Sequence, residues 1–220
     1  MRSAPKYVVP GKWEVPRTLF TGKDVFILGG GPSLKDCNFA ALDHPGNAVI
    51  AINNACELYP ACDLVYFADR RWWNWNKDRL RTSGFNPRLV VSRSYIPDRE
   101  MHGYDIKWIG RYSGDLSRSP AALAGWCSGA NAINLAFLGD ARRILLLGFD
   151  MRPGNWHELH KEPQKASHFQ EHFIPSLTKM SGELRREGAQ VFNLTPFSAL
   201  TCFPSADPRK IGLIEKEVVQ

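Results

Sequence analysis

Apolar residues in this chain gather in short continuous runs instead of alternating with polar ones. Asp24–Leu28 (DVFIL), Ala48–Ile52 (AVIAI), Leu64–Phe67 (LVYF) and Arg143–Leu147 (RILLL) are such runs. Short runs of this composition, halted by glycine or a polar residue, predict strands buried on both faces. Arg88–Ser92 predicts a further strand, Asp105–Ile109 a weaker one and Gln190–Leu194 a last one. Between them the hydrophobic period lengthens. Arg70–Arg81 predicts a helix and His168–Glu187 an amphipathic one. Ser119-Pro120 predicts the opening of a long helix carrying Ala121–Leu138, with Pro120 in its first turn and Gly139 at its end. Ser33 precedes a short helix that its hydroxyl is placed to cap. Strands alternating with helices predict an α/β fold, a single domain with a mainly parallel sheet and helices on both faces. The proline- and glycine-bearing residues 1–22 predict an N-terminal arm or irregular lead-in, with the domain spanning 23–220.

The length of 220 residues and a hydrophobic fraction of 44% suit one domain with a sizeable core. No apolar run reaches membrane-spanning length, and Met1–Val9 is basic without the apolar stretch of a secretory signal. A soluble, cytoplasmic protein is expected. The five cysteines show no C-x-x-C spacing, which argues against a disulfide framework or a zinc-thiolate site and for free, buried thiols. A net charge of +6 suits a polyanionic partner or a phosphorylated substrate.

The chemistry concentrates at predicted strand ends. Gly29-Gly30-Gly31-Pro32-Ser33 follows the first strand. Glycines there admit close backbone approach, and amides at a helix start attract phosphate. The pattern is neither G-x-G-x-x-G nor a P-loop, and a tight strand-to-helix turn explains it equally. Asn53 and Asn54 follow the second strand, Asp69 the third, and Asp150 the Arg143–Leu147 strand. In a parallel sheet these ends share the edge where ligands bind, although Asn and Asp also serve as turn formers and caps. Cys127-Ser128-Gly129-Ala130 lies within the predicted long helix. Either a helix begins there, with Ser128 as its cap and free amides facing a ligand, or small residues mark packing on the sheet. His157, His160, His168 and His172 cluster after Asp150. A neutral histidine there suits a general base, and a metal held by His157, His160 and Asp150 is the rival reading. Trp72, Trp73 and Trp75 interleave with Arg70, Arg71 and Lys77. They suit stacking on a base or sugar, or a packed helix face through Trp72 and Trp75.

Taken in order, these motifs resemble the bacterial sialyltransferase-like glycosyltransferases of family 42 and their bacteriophage relatives. The resemblance rests on Ile27-Leu28-Gly29-Gly30-Gly31-Pro32-Ser33-Leu34, Asn53, Ser128-Gly129, the run Ile144–Asp150, and Val191–Leu200. It implies a Rossmann-like, metal-independent transferase with no cofactor beyond a nucleotide-sugar donor, whose sugar passes to an acceptor hydroxyl. Donor contacts would fall on Gly29, Gly30, Gly31, Pro32, Ser33, Asn53, Asp69, Ser128, Gly129 and Arg152. The catalytic set would be Asp150 with a histidine base. His168 fits the base by its distance to the last strand, while His157 and His160 match the histidine-rich segment of the phage relatives. The chain departs from the family at Gly30, where a donor-contacting Asn is usual. It also carries Arg152, Trp156 and His157 where the family has tyrosines, which leaves the donor sugar open. The acceptor would be a glycan or a modified DNA base. The basic residues Arg70, Arg71, Lys77, Arg79 and Arg81 favour DNA. Two alternatives stand beside this reading. A pterin diphosphokinase-like enzyme shares the Gly-Pro-Ser turn and Gly-x-Asp strand end, and would need Asp69 and Asp150 for Mg²⁺. A non-catalytic nucleotide- or DNA-binding module is the other.

Overall fold

In a computed structural model, which describes residues 12–159 and 165–214, the apolar runs become a parallel sheet. The strands are β1 (Asp24–Leu28), β2 (Asn47–Ile52), β3 (Leu64–Phe67), β4 (Leu89–Ser92) and β5 (Ile106–Trp108). After a two-stranded ribbon, β6 (Gly110–Arg111) and β7 (Ala122–Leu123), come β8 (Arg143–Leu147) and β9 (Val191–Asn193). The seven-stranded sheet runs β5-β4-β3-β2-β1-β8-β9, with its pairings parallel. Alternate residues feed two cores. Val25, Ile27, Ile50, Tyr66 and Leu146 face one side. Phe26, Leu28, Val49, Phe67 and Leu147 face the other. Because both faces are covered, the strands read as continuous apolar runs.

Helices supply that cover. Helix α1 (Arg70–Thr82) buries Trp73 and Leu80 against the second core. Helix α2 (Ser128–Leu138) buries Ile133 and Leu135 in the first. There it meets Leu177, Met180 and Leu184 from the last helical segment. That segment comprises α3 (Ala166–His168), a π-helical turn (Phe169–Phe173) and α4 (Ile174–Arg186). The irregular lead-in packs onto the domain. The Trp13 amide donates to the Trp108 carbonyl at 2.7 Å, and Val15 and Phe20 are buried. Among the described residues no helix is long and apolar enough to cross a membrane.

Two helix expectations are corrected. The helix foreseen over Ala121–Leu138 begins only at Ser128, so Pro120 lies in a loop. Gly125 adopts φ +108°, which an α-helix excludes. The intervening backbone is held by buried asparagines of α2. Asn134 Oδ1 accepts from the Ser117 and Ala124 amides at 3.0 and 2.8 Å. Asn131 Nδ2 donates to the Ala124 carbonyl at 2.6 Å. The cap is Cys127, not Ser128. On α1 the packed face is Trp73, Asn76 and Leu80, one residue away from the expected Trp72 and Trp75. Trp73 stacks on Phe67 at 5.7 Å, Trp72 Nε1 donates to Asn54 Oδ1 at 2.6 Å, and Trp75 stays 42% exposed.

At the opposite edge of the sheet from the strand ends discussed above, Asp24 opens β1 at 5% exposure and accepts from both Arg142 and Arg143. Burial alone would raise its carboxyl, but the hydrogen bonds from Arg143 and Arg142 prevail and hold it at about 2, below the ordinary 3.8. A lowered folded value contributes stability above the unfolded value, lost as pH falls through the folded one. Asp24→Asn is therefore expected to cost about 1–2 kcal/mol at neutral pH, discounted for the exposed arginines. Urea unfolding of both proteins should show that difference shrinking as pH falls from about 4 to 2.

Candidate active site

The order of strands reverses beside β1. The chain steps from β1 outward to β5, then returns to place β8 on the other side of β1. Crevices form at such switch points, outside the carboxyl ends of the strands. Here the two turns flanking the crevice touch. The Gly29 amide donates to the Leu147 carbonyl at 2.8 Å and the Gly31 amide to the Gly148 carbonyl at 2.9 Å. A Cβ on Gly29 would lie 2.6 Å from the Gly148 oxygen, and one on Gly31 only 1.7 Å from Asp150 Oδ2. The Asp150 carboxylate accepts from the Ser33 hydroxyl at 2.8 Å and the Ser33 amide at 3.3 Å. The hydroxyl foreseen as a helix cap is thus committed to Asp150, and the short 3-10 helix Pro32–Asp36 has no side-chain cap. Asp150 is 7% exposed, and burial raises its carboxyl above the ordinary range against the opposing Ser33 hydrogen bonds. It clamps one turn to the other.

In front of this clamp lies a cleft of about 370 Å³. Gly29, Gly30 and Gly31 line it, with Asn53 after β2 and Asp69 after β3. Ser128 and Gly129 enter from the start of α2, and Arg152 from the segment after β8. Pro32, Ser33 and Asp150 are not in its wall. Neither is His157, whose Nδ1 accepts from the Leu159 amide at 3.1 Å. His168 is exposed, its ring 6.1 Å from that of His172; the next residue, Phe169, does line the cleft. His160 lies outside the described residues. The Asp69 carboxylate is occupied, capping α1 through the Arg71 amide and bonding Arg71 Nε, both at 2.8 Å.

The cleft also contains residues that strand-end reasoning passed over. Arg93 follows β4 as Asn53 follows β2, so the same rule reaches it. Trp126 stands on an irregular loop, and Phe169 and Phe173, spaced i, i+4 in the predicted amphipathic helix, stand on a π-helical turn. Electrostatically the cleft suits an anion. The Arg93 guanidinium is half-buried and touches Asn131 Oδ1 at 3.4 Å, with no carboxylate in ion-pairing range among the described residues. The side chains of Asn53 and Ser128 have no hydrogen-bond partner among the described residues, and the amino end of α2 adds its partial positive charge. Asn53 and Met151, both in the wall, have φ of +52° and +54°, the kind of local strain that gathers at functional sites. Among the described residues no group of three His, Cys, Asp or Glu side chains is placed to share a metal ion. The five cysteines are free, and burial pushes the Cys127 thiol up. The basic run on α1 is partly neutralised, since Arg70 pairs with Glu100, Arg71 with Asp69, and Arg79 with Glu57.

No family model matches the sequence, and no curated protein matches it. Its fold is nevertheless that of bacterial glycosyltransferases. The MAf glycosyltransferase of Magnetospirillum magneticum AMB-1 superposes with a TM-score of 0.71 at 14% identity, over 93% of this chain and 37% of the other. The chain thus spans little more than a third of that protein. Within the class, the fold is shared along nearly the full length of two Campylobacter jejuni sialyltransferases. CstII, in complex with a trisaccharide acceptor and CMP, gives 0.56 at 17% identity, over 90% of this chain and 93% of the other. Cst-I gives 0.53 at 15% identity, over 88% and 84%.

The glycine turn now separates into two kinds of position. Gly31→Ala should cost more than about 2 kcal/mol, because the methyl group would enter the Asp150 carboxylate rather than a ligand's space. Gly30→Ala should unfold near wild type, since its Cβ would meet only Asn155 Oδ1 at 3.2 Å. Thermal unfolding of the two variants checks this; equal losses would remove the distinction.

Proposed function

We propose that the protein is a glycosyltransferase that moves a sugar from a nucleotide-activated donor to the hydroxyl of a glycan acceptor. The observation that carries this reading is the half-buried Arg93 guanidinium without a carboxylate partner among the described residues, in the switch-point cleft of a glycosyltransferase fold. The Asp69 carboxylate in the same wall acts on this half-buried cation only beyond ion-pairing range, and a donor phosphate would supply a closer, hydrogen-bonded anion. The exposed backbone at Gly30, the side chains of Asn53 and Ser128, and the first amides of α2 contact the donor. Arg152, also in the cleft wall, offsets charge on the leaving phosphate. As the acceptor oxygen bonds to the anomeric carbon, the bond from that carbon to the phosphate oxygen breaks. The acceptor proton passes to a histidine. Of His157, His160 and His168 we favour His168, because it adjoins Phe169 in the cleft wall.

A glycan is favoured over DNA because three of the five cations in the α1 basic run already have carboxylate partners. The reaction is proposed to need no metal. The diphosphotransferase reading would place Mg²⁺ on Asp69 and Asp150, but Arg71 and Ser33 hold those carboxylates. Transfer measured in EDTA should match transfer in Mg²⁺.

A thermal-shift screen of nucleotides and nucleotide sugars should find a stabilising donor. Arg93→Gln should weaken that donor about tenfold or more, the worth of a charge-assisted hydrogen bond. His168→Ala should lower turnover by roughly 10²- to 10⁴-fold with little change in donor affinity. Wild-type turnover in His157→Ala, His160→Ala and His168→Ala alike would end the histidine-base proposal.

A further inference from the structure

Trp126 stands apart from the other large apolar side chains. It lines the cleft, yet it is 64% exposed, more than Leu159, Phe197 or any other exposed large hydrophobic side chain among the described residues. An indole so open offers apolar surface that gains free energy when a ligand covers it. It is nevertheless fixed in place. Its amide donates to the Ser176 hydroxyl of α4 at 3.2 Å. Its ring stacks on His172 with centroids 5.5 Å apart and planes 13° from parallel. The guanidinium of Arg111, at the end of β6, stands 6.0 Å from the ring centre. Arg111 itself is exposed and has no carboxylate in ion-pairing range among the described residues. Phe169 and Phe173, from the π-helical turn, continue the same wall. The cleft therefore has an aromatic rim, built from the loop before α2 and the π-helical turn, with a cation beside it.

We infer that Trp126 is the platform of the acceptor subsite, stacking on a pyranose ring while Arg111 donates to that ring's oxygens. The inference rests on the transferase reading above and names where its acceptor binds. One face of a pyranose is a patch of C–H groups with partial positive charge, which complements the negative face of an indole. With its backbone amide bonded to Ser176 and its ring stacked on His172, the indole loses little conformational freedom when the sugar docks, so the contact is preorganised. Arg111 adds a preference for acidic sugars, because its hydrogen bonds to a carboxylate are charge-assisted.

The test is saturation-transfer NMR on the full chain, with methyl β-D-galactopyranoside, methyl β-D-glucuronide and CMP as separate probes. Both saccharides should bind at millimolar concentration, the glucuronide several-fold more tightly, and Arg111→Gln should erase that advantage. Trp126→Ala should weaken both saccharides by roughly tenfold or more while CMP binds as before. Trp126→Phe should recover much of the loss and, by keeping a ring against His172, guards against a folding artefact. Absence of saccharide binding to the wild type, or undiminished binding to a folded Trp126→Ala variant, overturns the inference. Loss of CMP instead of saccharide also overturns it, by assigning the platform to the nucleobase. Saccharide binding through Trp126 without binding of CMP or any other nucleotide would sustain the subsite and defeat the transferase reading.

Discussion

Two turns that approach until no side chain fits between them govern this structure. Gly29 lies against the Gly148 carbonyl, and Gly31 lies against the Asp150 carboxylate. The contact locks the end of β1 to the end of β8 and turns Asp150 inward onto Ser33. It leaves the Gly30 backbone facing outward, at the floor of the cleft. The segment that follows Asp150 is brought over that floor, where the Trp156 amide donates to the Gly30 carbonyl at 3.2 Å. The switch point in the strand order creates the crevice; the clamp sets its depth.

The opposite wall depends on a different device. The polar residues Asn131 and Asn134 are fully buried in α2, an arrangement that is costly unless every group is bonded. They satisfy the loop 117–125, and Asn131 also accepts from the Tyr66 hydroxyl at 3.0 Å. Through Tyr66 the helix is tied to β3, and through the loop to the ribbon β6–β7 that carries Arg111. The amino end of α2, Arg93 and Trp126 are thereby positioned by one network. A substitution at Asn131 would be felt at three places in the cleft wall.

The strands of the seven-stranded sheet were legible as short, mainly apolar runs, and the parallel sheet followed from their alternation with helices; the two-residue strands β6 and β7 were not, and β7 falls where a helix was expected. The same rule located Asn53 and Asp69, and it extends to Arg93. The start of α2 was legible only as one of two readings, a helix opening at Ser128 beside a longer one opening at Pro120. Ala121-Ala122-Leu123-Ala124 are good helix formers, and what keeps them out of a helix is tertiary, the hydrogen bonds from Asn134 and Asn131. The face of α1 was misread by one position because adjacent tryptophans give a period no phase, which the stacking of Trp73 on Phe67 settles. Gly31 shows a subtler limit. The sequence marks a glycine that needs space but not for what, and here the space belongs to Asp150. Trp126 carries no strand-end signal because it stands on an irregular loop, and the helical period that includes Phe169 does not tell a cleft-facing ring from a packed one.

The pairing of β1 with β8 has a consequence for how the chain is made. Asp24 and Arg143 are register partners, yet 119 residues separate them. As synthesis proceeds, β1 to β5 emerge with the inner edge of β1 unpaired until β8 follows. Closing so long a loop is entropically slow, and an unpaired apolar strand edge invites association with other chains. The glycine turn depends on the same event, because Gly148 and Asp150 arrive with β8. Completion of the sheet and assembly of the cleft floor are therefore a single late step. A truncated chain ending before β8 would hold five of the seven strands of the sheet and lack the half of the cleft floor that β8 brings.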